Sequence, residues 1–243
     1  MNQLLNILEE TFGYQSFRPG QEKIIQHIMT DQDCLGIMPT GGGKSICYQL
    51  PALVFSGLTV VVSPLISLMK DQVDALNDMG VAASYVNSTL NYQEIQKRLG
   101  EAARGEVKLL YVAPERLETA DFMELLRHVQ VDVIAVDEAH CISQWGHDFR
   151  PSYLKLAQTI QSFLPRPRII ALTATATPEV AKDICDLLAI PENNVVQTGF
   201  ARENLSFQVM KDQTDVYLLE YLKTNKGQSG IIYASTRKEV ERI

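Results

Sequence analysis

The sequence predicts an α/β fold built on a doubly wound, mostly parallel sheet. Three observations carry that expectation. Short apolar runs alternate repeatedly with longer segments of helical period. The runs are almost continuously apolar, the mark of strands covered on both faces rather than one. One of them, CLGIM (34–38), opens directly into a glycine-rich turn that continues as a helical stretch, SICYQLPAL (45–53).

The elements follow in order. Strands are expected at 34–38, LTVVVS (58–63), KLLYVA (108–113), VDVIAVD (131–137), RIIALT (168–173) and NVVQT (194–198). Between them, helical periodicity covers 65–80, 92–105 and 178–189, the last with Thr177 as its N-cap and Pro178 in the first helical position. After Thr198 the pattern restarts: LSFQVM (205–210), a helix at 214–225 and GIIYAS (230–235) read as one further β-α-β unit. The division expected is therefore 1–204 for a first domain and 205–243 for the incomplete start of a second. A unit of that size is too short to be a second α/β domain of the same kind, so the chain reads as cut short at Ile243.

Composition limits the function classes. The 243 residues are 46% hydrophobic and 21% charged, ordinary values for a globular protein. No apolar run reaches the ~20 residues needed to span a bilayer. The amino terminus, MNQLLNILEE, carries acids where an export signal carries bases. No membrane association and a cytoplasmic setting, bacterial cytosol or nucleoid, are expected. Cys34, Cys47, Cys141 and Cys185 are scattered without a C-x-x-C pair, so neither a zinc framework nor disulfides are predicted. The net charge of −7 argues against a general polyanion binder, although a local basic groove is compatible with it.

The turn after the first strand, MPTGGGKS (38–45), departs from the strict phosphate-loop pattern by placing Met38 where a glycine is usual. The chemistry is intact nonetheless. Thr40, Gly41, Gly42 and Gly43 let the backbone turn its N–H groups inward on a phosphate, and the following helix adds its N-terminal dipole. Lys44 is placed to neutralise β- and γ-phosphates, and the Ser45 hydroxyl to ligate Mg²⁺. The bland alternative is a glycine turn with a solvated lysine; the strand-turn-helix context favours the phosphate site. At the end of another strand, VIAVDEAH (133–140) sets Asp137 to hold Mg²⁺ through a water and Glu138 to orient or deprotonate an attacking water. His140, beside this pair, reads as a coupling residue.

Asp-Glu-Ala-His following Pro-Thr-Gly-Gly-Gly-Lys-Ser resembles helicase superfamily 2, and the surrounding text is similar to the RecQ family of DNA helicases. The resemblance implies a RecA-like P-loop fold, ATP and Mg²⁺ as cofactors, and single-stranded DNA and duplex junctions as partners. LEETFGYQSFRPGQ (8–21) resembles the family's adenine pocket, which implies that Tyr14 stacks on the base, Arg18 supports it and Gln21 hydrogen-bonds its edge. Phe12 and Phe17 read as core aromatics. AHCISQWGHDFRPSY (139–153) resembles the aromatic-rich loop that couples DNA binding to hydrolysis. Trp145, His147, Phe149 and Arg150 suit single-stranded DNA, because rings stack on any base face.

Three shorter segments extend the likeness. VVSPLISLMKDQ (61–72) resembles motif Ia, and YVNSTL (85–90) brings Asn87 and Ser88 as contacts to the DNA backbone. ALTATAT (171–177) resembles motif III, in which Thr173 and Thr175, with Gln144, link phosphate and DNA. GIIYASTRKEVE (230–241) resembles motif IV at the opening of a second RecA-like domain, with Tyr233-Ala234 where the family has Tyr-Cys. The expected activity is ATP-driven 3′→5′ translocation and unwinding in repair and recombination. A family member also needs a complete second RecA-like domain in cis, with its arginine finger, so the 243 residues alone are expected to be nearly inactive. Two other readings share the motifs: a non-enzymatic nucleotide- or DNA-binding module, and a different P-loop enzyme, which leaves the aromatic segment unexplained.

Overall fold

A computed structural model describes residues 1–161, 163, 165–199, 205–211 and 214–242. The chain divides into two compact units, Met1–Phe200 and Ala201–Ile243. Within the first, seven strands form one sheet in the order β3-β4-β2-β5-β6-β1-β7. They are β1 (Cys34–Ile37), β2 (Leu58–Val62), β3 (Ala83–Val86), β4 (Leu109–Val112), β5 (Val131–Val136), β6 (Arg168–Thr173) and β7 (Val195–Gln197). Every pairing is parallel.

Alternate residues of each central strand feed two separate cores, which is why the runs read as continuously apolar. Leu35, Ile37, Val60, Val62, Ile134, Val136, Ile169 and Ala171 face one side. There they meet α5 (Tyr92–Ala103), α6 (Ala120–His128), α7 (Pro151–Gln161) and α8 (Pro178–Leu188). Cys34, Met38, Val61, Val133, Ala135, Ile170 and Leu172 face the other, against α2 (Gln21–Met29), α3 (Ile46–Val54) and α4 (Ile66–Asp78). Burying both faces removes apolar surface from water at ~25 cal/mol per Å², and the sheet has no solvated face to weaken it. An amino-terminal helix, α1 (Asn2–Phe12), packs Leu4 and Leu8 on Ile25, Ile46 and Leu50, with Phe12 and Phe17 partly buried against them.

The helices end close to where the periodicity puts them. Thr177 caps α8, its hydroxyl accepting from Val180 N at 3.3 Å. Asn91 and Glu94 form a reciprocal capping box on α5. The edge strand β3 falls just before and into the segment expected to touch DNA. Its tip is blunted by Asn77, whose amide donates to Ala83 O and accepts from Ala83 N.

The second unit corrects the expected β-α-β arrangement. The helix is present as α9 (Thr214–Thr224), followed by α10 (Arg237–Arg242), but 205–210 and 230–235 pair with no strand. Phe207 is 90% and Tyr233 88% exposed. A strand with no neighbour has no ladder to join and no face to bury, so neither stretch forms one among the described residues.

Candidate nucleotide site and its link to the aromatic segment

Parallel register brings the chemistry to one edge. Ile37 pairs with Thr173, Val136 with Ala171 and Val62 with Val136, so the carboxyl ends of β1, β6, β5 and β2 lie side by side. The order sets β6 between the phosphate-loop strand and the acidic strand, a detail the sequence did not reveal. Crevices at such carboxyl edges are where open α/β sheets bind ligands.

Met38 is still part of the sheet: it is buried, and its N–H donates to Thr173 O at 3.0 Å. The turn begins only after it. Gly41 and Gly43 both have φ of 78°, a left-handed conformation that penalises any side chain. Gly42 is constrained differently, since a Cβ there would lie 2.8 Å from Pro39 O. The amides of Gly43 to Ser45 lead into the first turn of α3, where a helix presents its unpaired donors. Lys44 Nζ reaches back to Met38 O at 3.4 Å.

Arg18 and Gln21 are fastened to this loop. Arg18 Nη1 donates to Gly41 O, and Gln21 Nε2 donates to Gly43 O at 2.9 Å. Gln21 Oε1 accepts from Arg18 N at 2.7 Å. The side chain expected to read a base edge is therefore buried and engaged on the phosphate loop in this conformation. Tyr14 remains exposed, with the Arg18 guanidinium 5.8 Å from its ring centre.

Asp137 follows β5, its N–H donating to Val62 O at 2.8 Å and its own carbonyl accepting from the Tyr153 hydroxyl at 3.0 Å. Burial, and then the neighbouring Glu138 charge, push its carboxyl from 3.8 up to about 6; Lys44 and a hydrogen bond with Ser63 oppose the shift. Glu138 adopts a left-handed conformation at φ 48°, which turns its side chain toward the next residues. Its carboxylate lies 3.3 Å from His140 Nδ1.

His140 is the centre of a polar chain. Its Nδ1 is 2.9 Å from Thr173 Oγ1. That hydroxyl donates to Thr175 O at 3.0 Å and accepts from Thr175 N at 3.2 Å. With the hydroxyl proton spent on Thr175, Thr173 accepts from the histidine, so Nδ1 carries the imidazole proton. Burial holds the His140 pKa below its ordinary value, keeping the ring neutral near pH 7. On its other side His140 stacks on His147, with centroids 4.4 Å apart and planes 13° from parallel.

The aromatic segment is thus packed directly against the acidic site. A short 3₁₀ turn, Ala139–Ile142, leads into it and α7 leads out. Trp145 is 78% exposed, and Gln144 and His147 are exposed as well, while Phe149 is half-buried. The Ser143 hydroxyl donates to Asp183 of α8 at 2.7 Å and accepts from Trp145 N at 3.2 Å, pinning the base of the segment. Arg150 is not a free cation. Its guanidinium holds Asp148 at 2.9 Å and Pro64 O at 3.2 Å, which fixes the segment to the start of α4.

One expected DNA contact is corrected. Asn87 is buried, and its side-chain oxygen accepts from Thr89 N at 3.0 Å and Thr89 Oγ1 at 2.7 Å. It shapes the turn after β3, leaving Ser88, which is exposed, as the accessible member of the pair. A cavity of about 870 Å³ lies at the opposite end of the sheet beside Val131 and Arg168, with no glycine loop near it. A smaller cleft of about 430 Å³ opens between Trp145, His147 and Thr175.

ATP and Mg²⁺, the ligands implied by the motifs, fit the residues present. The loop is a cradle that a Cβ would fill, and the Asp137 carboxylate is held back from water at its edge. Lys44 would meet the phosphates, and Ser45 with Asp137 the metal.

Fold and site together define a RecA-like α/β domain of the helicase type. Comparison with known proteins agrees. The DEAD/DEAH box helicase family model matches residues 18–184, more than half of the chain. The chain belongs to the DEAD/DEAH box helicases, in their RecQ branch. It is 53% identical over 241 residues to the ATP-dependent DNA helicase RecQ of Bacillus subtilis, covering 98% of this chain and 41% of that protein. It is 48% identical to the Pasteurella multocida RecQ over 240 residues, covering 98% and 38% respectively. The chain thus spans about 40% of the length of these curated relatives. Among solved structures, Mycobacterium smegmatis helicase Lhr bound to ssDNA and AMP-PNP matches with a TM-score of 0.67 at 19% identity, covering 96% of this chain and 34% of that one. The DUF1998 helicase MrfA matches at 0.72 and 19%, covering 99% and 39%. At such identities the likeness concerns the fold. Among the described residues no helix is long and apolar enough to cross a membrane.

Proposed function

We propose that this chain is the ATP-binding part of a RecQ-type motor that couples hydrolysis to 3′→5′ movement along DNA, in repair and recombination. It acts with a second RecA-like domain in cis. The observation that carries the reading is the unbroken polar and stacking path from Glu138 through His140 to Thr173 and Thr175 on one side and to His147 on the other.

Bound Mg-ATP supplies the polarised γ-phosphate. Lys44 would neutralise charge on the phosphates, and Ser45 and Asp137 would hold the metal. Glu138 takes the proton of an attacking water, and its contact with His140 orients the carboxylate. Strand base contacts at Trp145 and His147 move the stacked His140, so DNA occupancy changes the setting of Glu138. The alternative, a binding module without chemistry, leaves the Glu138–His140 contact without purpose.

Calorimetry with Mg-ATP and anisotropy with a labelled single-stranded oligonucleotide test the reading on the same protein. Lys44→Ala is expected to weaken ATP at least tenfold and leave oligonucleotide binding unchanged. Trp145→Ala is expected to weaken the oligonucleotide by ~1–3 kcal/mol and leave ATP unchanged. Equal ATP affinity in Lys44→Ala, or equal DNA affinity in Trp145→Ala, overturns it.

A further inference from the structure

Within the aromatic segment, three side chains of different chemistry converge on a point that the steps above do not use. Cys141 Sγ lies 3.8 Å from His140 Nε2 and 3.7 Å from Asp148 Oδ2. One ligand atom from each residue falls within 4.8 Å of the other two. Tetrahedral zinc, with bonds of about 2.0–2.3 Å, sets such donors roughly 3.3–3.6 Å apart. The Cys141 contacts exceed that spacing by only a few tenths of an ångström, and the His140 and Asp148 atoms, within 4.8 Å of each other, close on the ion by rotation of the exposed Asp148 side chain.

The histidine is prepared for the task. Nδ1 carries the proton and spends it on Thr173 Oγ1, with the Glu138 carboxylate beside it. That leaves the Nε2 lone pair turned toward Cys141 on a side chain only 8% exposed, where a long thiol contact is its partner. An imidazole fixed through one nitrogen by a carboxylate or hydroxyl, with the other nitrogen free, is the usual arrangement of a metal-ligating histidine. The donors, one sulfur, one nitrogen and one oxygen, suit a borderline-soft divalent ion and not Mg²⁺. Cys34, Cys47 and Cys185 belong to no such cluster among the described residues.

We propose that His140 Nε2, Cys141 Sγ and the Asp148 carboxylate form a three-ligand site for Zn²⁺, completed by a water. On binding, the Cys141 thiol releases its proton to solvent and its sulfur bonds the ion as thiolate; no oxidation state changes. The ion ties Asp148 to His140 and Cys141 earlier in the same segment, closing a clasp around Trp145 and His147. On the coupling role given above, on which this consequence rests, Zn²⁺ holds the segment still and damps its response to DNA.

The test is a Co²⁺ titration of the 243-residue chain under reducing conditions, followed by absorption. One equivalent should produce a thiolate-to-cobalt charge-transfer band with the visible bands of a tetrahedral site, and Zn²⁺ should displace it. Cys141→Ser should abolish the charge-transfer band, and Cys185→Ser should keep it. Asp148→Asn, which removes the carboxylate and with it the ion pair to Arg150, should weaken binding by roughly tenfold or more, whereas Arg150→Gln, which breaks the same ion pair and keeps all three donors, should retain it. A missing charge-transfer band, a band that survives Cys141→Ser, or unchanged affinity in Asp148→Asn overturns the site. The absorption readout needs neither ATP nor DNA, so failure of the motor reading leaves this result standing, and the reverse.

Discussion

Replacing Asp137 by asparagine should make the nucleotide-free protein more stable at neutral pH, although it removes a residue of the proposed site. Burial and the Glu138 charge push the Asp137 carboxyl from 3.8 up to about 6. The folded state therefore holds a proton more tightly than the unfolded chain does. The associated stability is fully present below pH 3.8 and is lost as the pH rises through about 6. A shift of about two units corresponds to roughly 3 kcal/mol above pH 7, falling to about 1 kcal/mol near pH 4.5. Asparagine keeps the side-chain oxygen that accepts from Glu138 N at 3.0 Å and carries no charge to desolvate. Urea unfolding of both proteins, followed by far-ultraviolet circular dichroism at pH 7.5 and 4.5 without Mg²⁺, measures the difference. The Asp137→Asn variant should be the more stable protein at the higher pH, with most of its advantage gone at the lower. Equal stability at pH 7.5, or an advantage that grows on acidification, would refute the argument that this carboxylate is held ionised at a cost until a cation arrives.

Three further perturbations probe the same edge of the sheet. Gly43→Ala places a Cβ against Gln21 Nε2 at a φ of 78°, so about 1–2 kcal/mol of backbone strain and a displaced Gln21 should lower both melting temperature and ATP affinity. Thr173→Val strips His140 Nδ1 and Thr175 N of their shared acceptor; a loss of about 1–3 kcal/mol in urea unfolding is expected, with Mg-ATP affinity in calorimetry unchanged. Gly146→Ala drives a Cβ into His140 O, so the stacked histidines must separate. Their ring resonances in NMR spectra should shift, and oligonucleotide affinity should fall while ATP affinity holds.

The glycine turn after β1 and the acidic end of β5 were legible because each is local. Gly41, Gly42, Gly43 and Lys44 announce themselves by residue type in a strand-turn-helix setting, and the structure shows the steric reasons at Gly42 and Gly43. Asp137 and Glu138 sit where a buried strand runs out. The helices α4, α5 and α8 were legible from their period, the last also from its cap. Strand β3 was not expected from the sequence: only four residues long, it alternates half-buried and buried positions at the sheet's edge and lacks the continuous apolar run of its neighbours. The strands expected at 205–210 and 230–235 have the right composition but no partner, and composition cannot supply one.

Asn87 and Arg150 show the same limit at the level of single side chains. Both are residue types suited to a nucleic-acid backbone, yet one closes a turn with Thr89 and the other is held by Asp148 and Pro64. Residue type states what a group can bond to; only packing decides what it already bonds to.

By itself, then, the sequence determined the parallel α/β class, the glycine turn after β1 and the acidic strand end, because backbone freedom, apolar continuity and charge are properties of short stretches. Tertiary structure alone decided that β6 runs between the two halves of the site, that Thr173 meets His140, and that His140 stacks on His147. Of these, the strand order and the Thr173 contact join residues far apart in the chain, and the histidine stack depends on how the intervening turn folds; their energies exist only once the sheet has set its strand order.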